Sequence, residues 1–337
     1  MAQATTIAGT GTAGFTGDGG PADQAAIAEP FGVIRGPDGA IWFCDLGNHR
    51  IRRIGQDGMI STVVGRGEAG NDGDGGPAAD AAITEPYELR FGTAGDLFFV
   101  DMQAHVIRKV NASDGVISTV AGTGSPGFGG DGGPATAAQF QQPHSIEFGP
   151  DGALYVADIG NHRVRRVDLK NDEISTFGGT GEKGAALDGA PLAGSDLFGP
   201  RAIAFDASGN MILVLREGNA VWRIDMQNRT LHHIAGTGVF GYEGDGGKAT
   251  QAKLAGPKGV AIDETGDIFL ADTESHTIRV VRRDGTIETI LGDGTNHDGP
   301  DGDPFRCGMA RPHGVYAAAD GVWVGDSDNH RVRHLHS

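Results

Sequence analysis

The 337-residue chain carries 27 Lys and Arg against 44 Asp and Glu, a formal charge of −17, with 58 glycines and only 7% aromatic residues. So acidic a surface repels phosphate backbones, which argues against nucleic acid and anionic membranes as partners. Two cysteines, Cys44 and Cys307, make no disulfide framework, and no apolar run is long enough to span a bilayer. The opening MAQATTIAGTG has no basic segment followed by an apolar one, so a soluble, cytoplasmic protein is expected.

In chain order, ATTIAGTG at the N-terminus is a strand-like run without a partner nearby. The stretch Ala22 to Ile27 suggests one short helical turn. Four runs of strand length follow, FGVIRG, AIWFCD, HRIRRI and MISTVVG, rich in β-branched or aromatic residues and bounded by Gly, Asp or Asn. Pro37-Asp38-Gly39 reads as the hairpin turn between the first two, as does Pro150-Asp151-Gly152 two units later.

The unit then repeats. Its opening prolines are Pro30, Pro86, Pro143, Pro200, Pro257 and Pro312, spaced by 56, 57, 57, 57 and 55 residues. A regular period of this length is the signature of a repeat architecture. Four strands in each of six units specify an all-β six-bladed propeller spanning 1–337 as a single domain. The sixth copy stops after its third run, HRVRHL, and ATTIAGTG matches the fourth run VISTVAGTG of Val116 to Gly124. The N-terminal strand is therefore expected to complete the sixth blade and close the ring.

Residues that recur around the ring read as frame. They include His49, His105, His162, His276 and His330 at a strand corner. Arg52, Arg108, Arg165, Arg223, Arg279 and Arg333 are expected as blade-to-blade donors, and Asp45, Asp101, Asp158, Asp272 and Asp326 as acceptors. Gly9-Thr10-Gly11-Thr12-Ala13-Gly14 and its copies match GxGxxG, but none opens a helix in a βαβ unit, so no nucleotide cofactor is expected. Asp72-Gly73-Asp74 and Asp301-Gly302-Asp303 lack the EF-hand ligand order and read as solvated turns.

Asn48-His49-Arg50, Asn161-His162-Arg163 and Asn329-His330-Arg331, with the Gly-Asp-Gly-Gly-Pro inserts, resemble NHL repeats of the bacterial variety, and the resemblance covers all six units. It implies a closed propeller and leaves the chemistry open.

What varies is the residue after each opening proline: Phe31, Tyr87, His144, Arg201, Lys258 and His313. Heading the innermost strand, these should approach the axial channel, with Glu88 next to Tyr87. Blade four also replaces the Asp-His corner by Arg216-Glu217-Gly218-Asn219-Ala220. The ring reads either as channel filling or as a ligand site, and concave mouths with a few convergent polar groups are the usual binding place.

Six-bladed relatives of this type include peptidyl-α-hydroxyglycine α-amidating lyase, virginiamycin B lyase and regucalcin-like lactonases. Pro143-His144-Ser145 and Pro312-His313-Gly314 resemble the segments that supply zinc-binding histidines in the amidating lyase. The resemblance implies a divalent metal, zinc or calcium, on His144 and His313. One departure stands: these two lie three blades apart, the lyase's histidines two, and no third axial histidine is present. Without metal, His144 and His313 would act as acid and base with Tyr87 and Glu88 as helpers. Arg201, Lys258 and Arg216, beside Phe31, would bind a small anionic substrate of a lyase or lactonase-like hydrolase. The alternative is a scaffold binding a protein or peptide on one face, with Phe15, Phe128, Phe240 and Tyr242 forming an exposed apolar patch.

Overall fold

The computed structural model describes residues 2–336 as six four-stranded antiparallel sheets arranged in a ring. The first blade runs outward through Pro30–Arg35, Ile41–Asp45, Arg50–Ile54 and Ile60–Val64. The sixth has Pro312–Ala318, Gly321–Asp326 and Arg331–His336, and its outer strand is Gln3–Ala8 from the chain's other end. Gln3 pairs with His336 and Thr6 with Arg333, so closure occurs as expected. Helical structure among the described residues is confined to 3₁₀ turns such as Ala22–Gln24. In blade five the innermost strand is Gly259–Ile262, which leaves Lys258 just ahead of it.

Three corner histidines clasp successive blades through their rings. His49, His105, His162, His276 and His330 all adopt left-handed backbone angles, φ 49 to 59°. Nδ1 of His105, His276 and His330 accepts the backbone N–H of Gln142, Arg311 and Glu29 at 3.1–3.2 Å. Asn219 does the same in blade four, accepting from Gly256 at 2.9 Å. The corner aspartates accept N–H groups of the incoming segment, as Asp45 does from Ala28 at 2.7 Å.

The recurrent arginines are fully buried, but they bind the insert entering their own blade rather than a neighbouring sheet. Arg108 donates to the carbonyls of Ala82 and Asp72 and to the Asp74 carboxylate at 2.6 Å. Asp74 and Asp301 are thus ion-paired anchors rather than solvated turns. Arg223 is a correction to the sequence reading. Pairing of Leu213 with Trp222, against Phe43 with Arg52, shows that Trp222 holds the arginine's position in blade four. Arg223 lies one residue on, on the opposite face, and pairs with Asp206 at 3.2 Å.

The GxG loops have a steric origin. Gly9, Gly65, Gly122, Gly179, Gly236 and Gly292 have φ of 84 to 97°, and a Cβ on any of them would lie 2.1–2.4 Å from the carbonyl oxygen of the corner His or Asn. Only glycine fits that approach. The insert aromatics are also committed: Arg50 lies over Phe15 at 3.6 Å, Arg163 over Phe128 at 3.9 Å and Arg279 over Tyr242 at 5.2 Å. They belong to blades one, three and five and so do not form one patch, although Val239 and Phe240 remain exposed at the tip of the fifth insert.

Candidate functional site

Each innermost strand starts at the same end of the channel, so the six residues after the prolines meet there. Phe31 stacks on His313 with centroids 3.9 Å apart and meets Tyr87 edge-on at 4.6 Å. Tyr87 packs on His144 at 4.5 Å, and the Arg201 guanidinium lies 4.7 Å from the Tyr87 ring centre. Lys258 Nζ sits 3.2 Å from His313 Nε2 and donates to Glu274 at 2.9 Å. All six are buried, and they floor a cavity of about 660 Å³ at the mouth.

Both axial histidines are oriented by backbone. Nδ1 of His144 donates to the Gln142 carbonyl at 2.7 Å, and Nδ1 of His313 to that of Arg311 at 2.8 Å. A carbonyl can only accept, so each Nε2 carries the lone pair. In His313 that lone pair is taken by Lys258, whereas His144 Nε2 has no partner among the described residues and its ring lines the cavity. Burial lowers the His144 pKa to about 4, and that of His313 falls well below its usual value for the same reason, helped by Lys258 and Arg201. Both imidazoles are neutral near pH 7.

Five cations line this cavity, Lys183 among them, and three are paired. Lys258 and Arg311 share Glu274, at 2.9 and 3.1 Å, and Arg216 pairs with Glu217 at 2.6 Å. The fourth is Arg201, 7% exposed, which has no hydrogen bond or ion pair with any described residue, and its Nε is buried without a partner. The Tyr87 hydroxyl is likewise buried and unpaired. Burial pushes Arg201 well below the usual arginine range, and Lys258 to about 8.

Phe31, Tyr87, His144, Arg201, Arg216, Lys258 and His313 thus converge as expected. Glu88 does not join them: it lies outside the mouth cavity's lining and is ion-paired with Arg90, which also holds Glu147 at 2.6 Å. A zinc or calcium ion does not fit these residues. The His313 lone pair faces an ammonium, Glu217 and Glu274 are ion-paired, and among the described residues no three His, Cys, Asp or Glu side chains assemble as a metal-holding group.

Further lining residues escaped the sequence reading. Beyond the position after the proline, two other columns also differ between blades. The residue before the proline is Glu29, Glu85, Gln142, Gly199, Gly256 or Arg311; the residue that follows the corner Asp, or Leu215 in blade four, is Leu46, Met102, Ile159, Arg216, Thr273 or Ser327. His162, read as frame, also lines the cavity, and its Nδ1 makes no clasp.

The fold and this cavity define a closed six-bladed propeller with a charged, partly unpaired mouth. NHL-repeat models match residues 140–167 and 309–335, and the Teneurin NHL domain model matches 241–310, so stretches of this propeller carry NHL repeats. It is 25% identical to NHL repeat-containing protein 2 of Gallus gallus over 86% of its length and 44% of that protein's. It spans between about a quarter and under a half of the curated relatives it matches most strongly. A Bacteroides thetaiotaomicron protein of unknown function superposes with a TM-score of 0.74 at 15% identity, over 100% of this chain and 76% of that one. Virginiamycin B lyase from Staphylococcus aureus superposes with a TM-score of 0.55 at 18% identity, over 91% and 80%. At such identities the likeness is one of fold.

Proposed function

We propose that this propeller is a lyase or lactonase-like hydrolase acting on a small carboxylate in the mouth cavity. The observation that carries the reading is Arg201, a buried guanidinium that lines the cavity and has no hydrogen bond or ion pair with any described residue. Burying an unpaired cation costs several kcal/mol, on the order of 1–3 or more, unless a ligand supplies the partner. A planar carboxylate suits the guanidinium fork, and the Tyr87 hydroxyl stands beside it as a second unspent donor.

His144 is then the base. Its Nε2 takes a proton from a substrate carbon next to a carbonyl, or from a water attacking a lactone carbonyl. Arg201 and Lys258 stabilise the negative charge that develops on oxygen, and the leaving group departs with its electron pair. The bound anion raises the proton affinity of the buried imidazole and so offsets its low intrinsic basicity. Lys258, held by Glu274 and His313, is placed to return a proton.

The test is turnover of a panel of γ-lactones and β-substituted carboxylates by wild type, His144→Ala and His144→Gln, followed by proton release and product NMR. The reading expects turnover that drops about 10²–10⁴-fold in both variants while binding of the probe hexanoate survives. Equal rates in wild type and variants, or a wild type that binds hexanoate and turns over nothing, would overturn the enzymatic assignment.

A further inference from the structure

The mouth cavity is divided. On blades four to six its wall is charged: Arg216 with Glu217, Lys258 with Glu274, and Arg311. On blades one to three the corresponding wall is Leu46, Met102 and Ile159, each 7–8% exposed and each the residue that follows a corner aspartate. On blades five and six that same position is Thr273 and Ser327. Both are fully buried and bonded to the carbonyls of Pro312 and Pro30 at 2.7 and 2.8 Å, so they turn away from the cavity. Phe31 and Tyr87 extend the apolar side downward to the floor.

Above the apolar wall stand two carboxylates, Glu29 and Glu85. Neither has an ion-pair partner among the described residues, in contrast with Glu217 and Glu274 across the cavity. A ligand whose carboxylate reaches Arg201 must lay its remaining atoms against Leu46, Met102 and Ile159 and end beneath Glu29 and Glu85. A second negative charge at that end would be repelled.

Resting on the carboxylate-binding reading above, we propose that the substrate is a monocarboxylate with an apolar body. Arg201 fixes its anionic head, Leu46, Met102 and Ile159 cover the body, and Glu85 rejects a second carboxylate at the tail. Selectivity thus comes from the two halves of one cavity, one attractive for charge and one excluding it.

The experiment titrates acetate, butyrate, hexanoate and adipate into wild type, Met102→Gln, Met102→Leu and Glu85→Gln, read by calorimetry and chemical-shift perturbation. In wild type affinity rises about two- to fourfold per added methylene, the upper figure corresponding to full burial of each group. Adipate, of hexanoate's length with a second carboxylate, binds at least tenfold more weakly than hexanoate. Met102→Gln flattens the chain-length slope, Met102→Leu keeps it, and Glu85→Gln narrows the gap between adipate and hexanoate. A flat slope in wild type, or adipate binding as tightly as hexanoate, overturns the inference while leaving carboxylate binding intact. Absence of binding by all four probes overturns the underlying reading as well.

Discussion

Arg201 is the residue whose surroundings demand most explanation, because its guanidinium is buried against Tyr87 with no acceptor. Such a group trades stability for binding. Arg201→Leu is therefore expected to raise unliganded stability by about 1–3 kcal/mol in chemical denaturation, while losing carboxylate binding. A second expectation concerns protons. The His144 pKa is lowered to about 4 in the folded protein, against 6.5 for a free imidazole. Between those values the unfolded chain binds the extra proton and the folded chain does not, so this residue makes stability fall as pH drops from 6.5 toward 4. Relative to His144→Phe, the wild type should lose stability across that window and gain none above it, as paired melts at successive pH values would record. Lys258, lowered to about 8, loses its charge as pH rises through that value. Carboxylate affinity should weaken there, and it should do so less in Lys258→Arg.

At the scale of elements, the repeated unit was legible because its constraints are local: hairpin turns, alternating runs and a glycine wherever a corner carbonyl approaches. Gly122→Ala, which would place Cβ 2.4 Å from the His105 carbonyl oxygen, should destabilise markedly more than Gly132→Ala. Gly132 has a similar positive φ of 77° but nothing within 4 Å of the added atom, so the pair separates steric clash from backbone strain in thermal melts. The buried arginines set a second expectation. Arg108→Met leaves Asp74 and two carbonyls of the insert without their donor and should cost about 3–5 kcal/mol. What the sequence concealed is register. Arg223 stands one place from its apparent equivalents, and only the pairing of Trp222 with Leu213 reveals that blade four replaced the buried arginine by an indole. The site was legible only where one column of the repeat varies on the axis. Leu46, Met102 and Glu85 reach the same cavity from positions whose exposure depends on how blades tilt around it, and Glu88, adjacent in sequence to Tyr87, points away into an ion pair with Arg90.

For the whole molecule, closure and site are linked. The N-terminal strand Gln3–Ala8 completes blade six, and Thr6 holds Asp301 through its backbone N–H and its hydroxyl, both at 2.9 Å. Blade six supplies His313 and Arg311, and Ser327 of the same blade bonds Pro30 of blade one across the seam. Removing residues 2–8 should expose an unpaired edge, promote association, and loosen the floor of the mouth cavity. The direct test of the central claim, that the mouth binds carboxylate through Arg201, is calorimetric titration of hexanoate into wild type and Arg201→Leu at pH 7. The account predicts saturable one-to-one binding in the wild type and at least tenfold weaker binding in a variant that melts no lower. Equal affinity in the two proteins would contradict it.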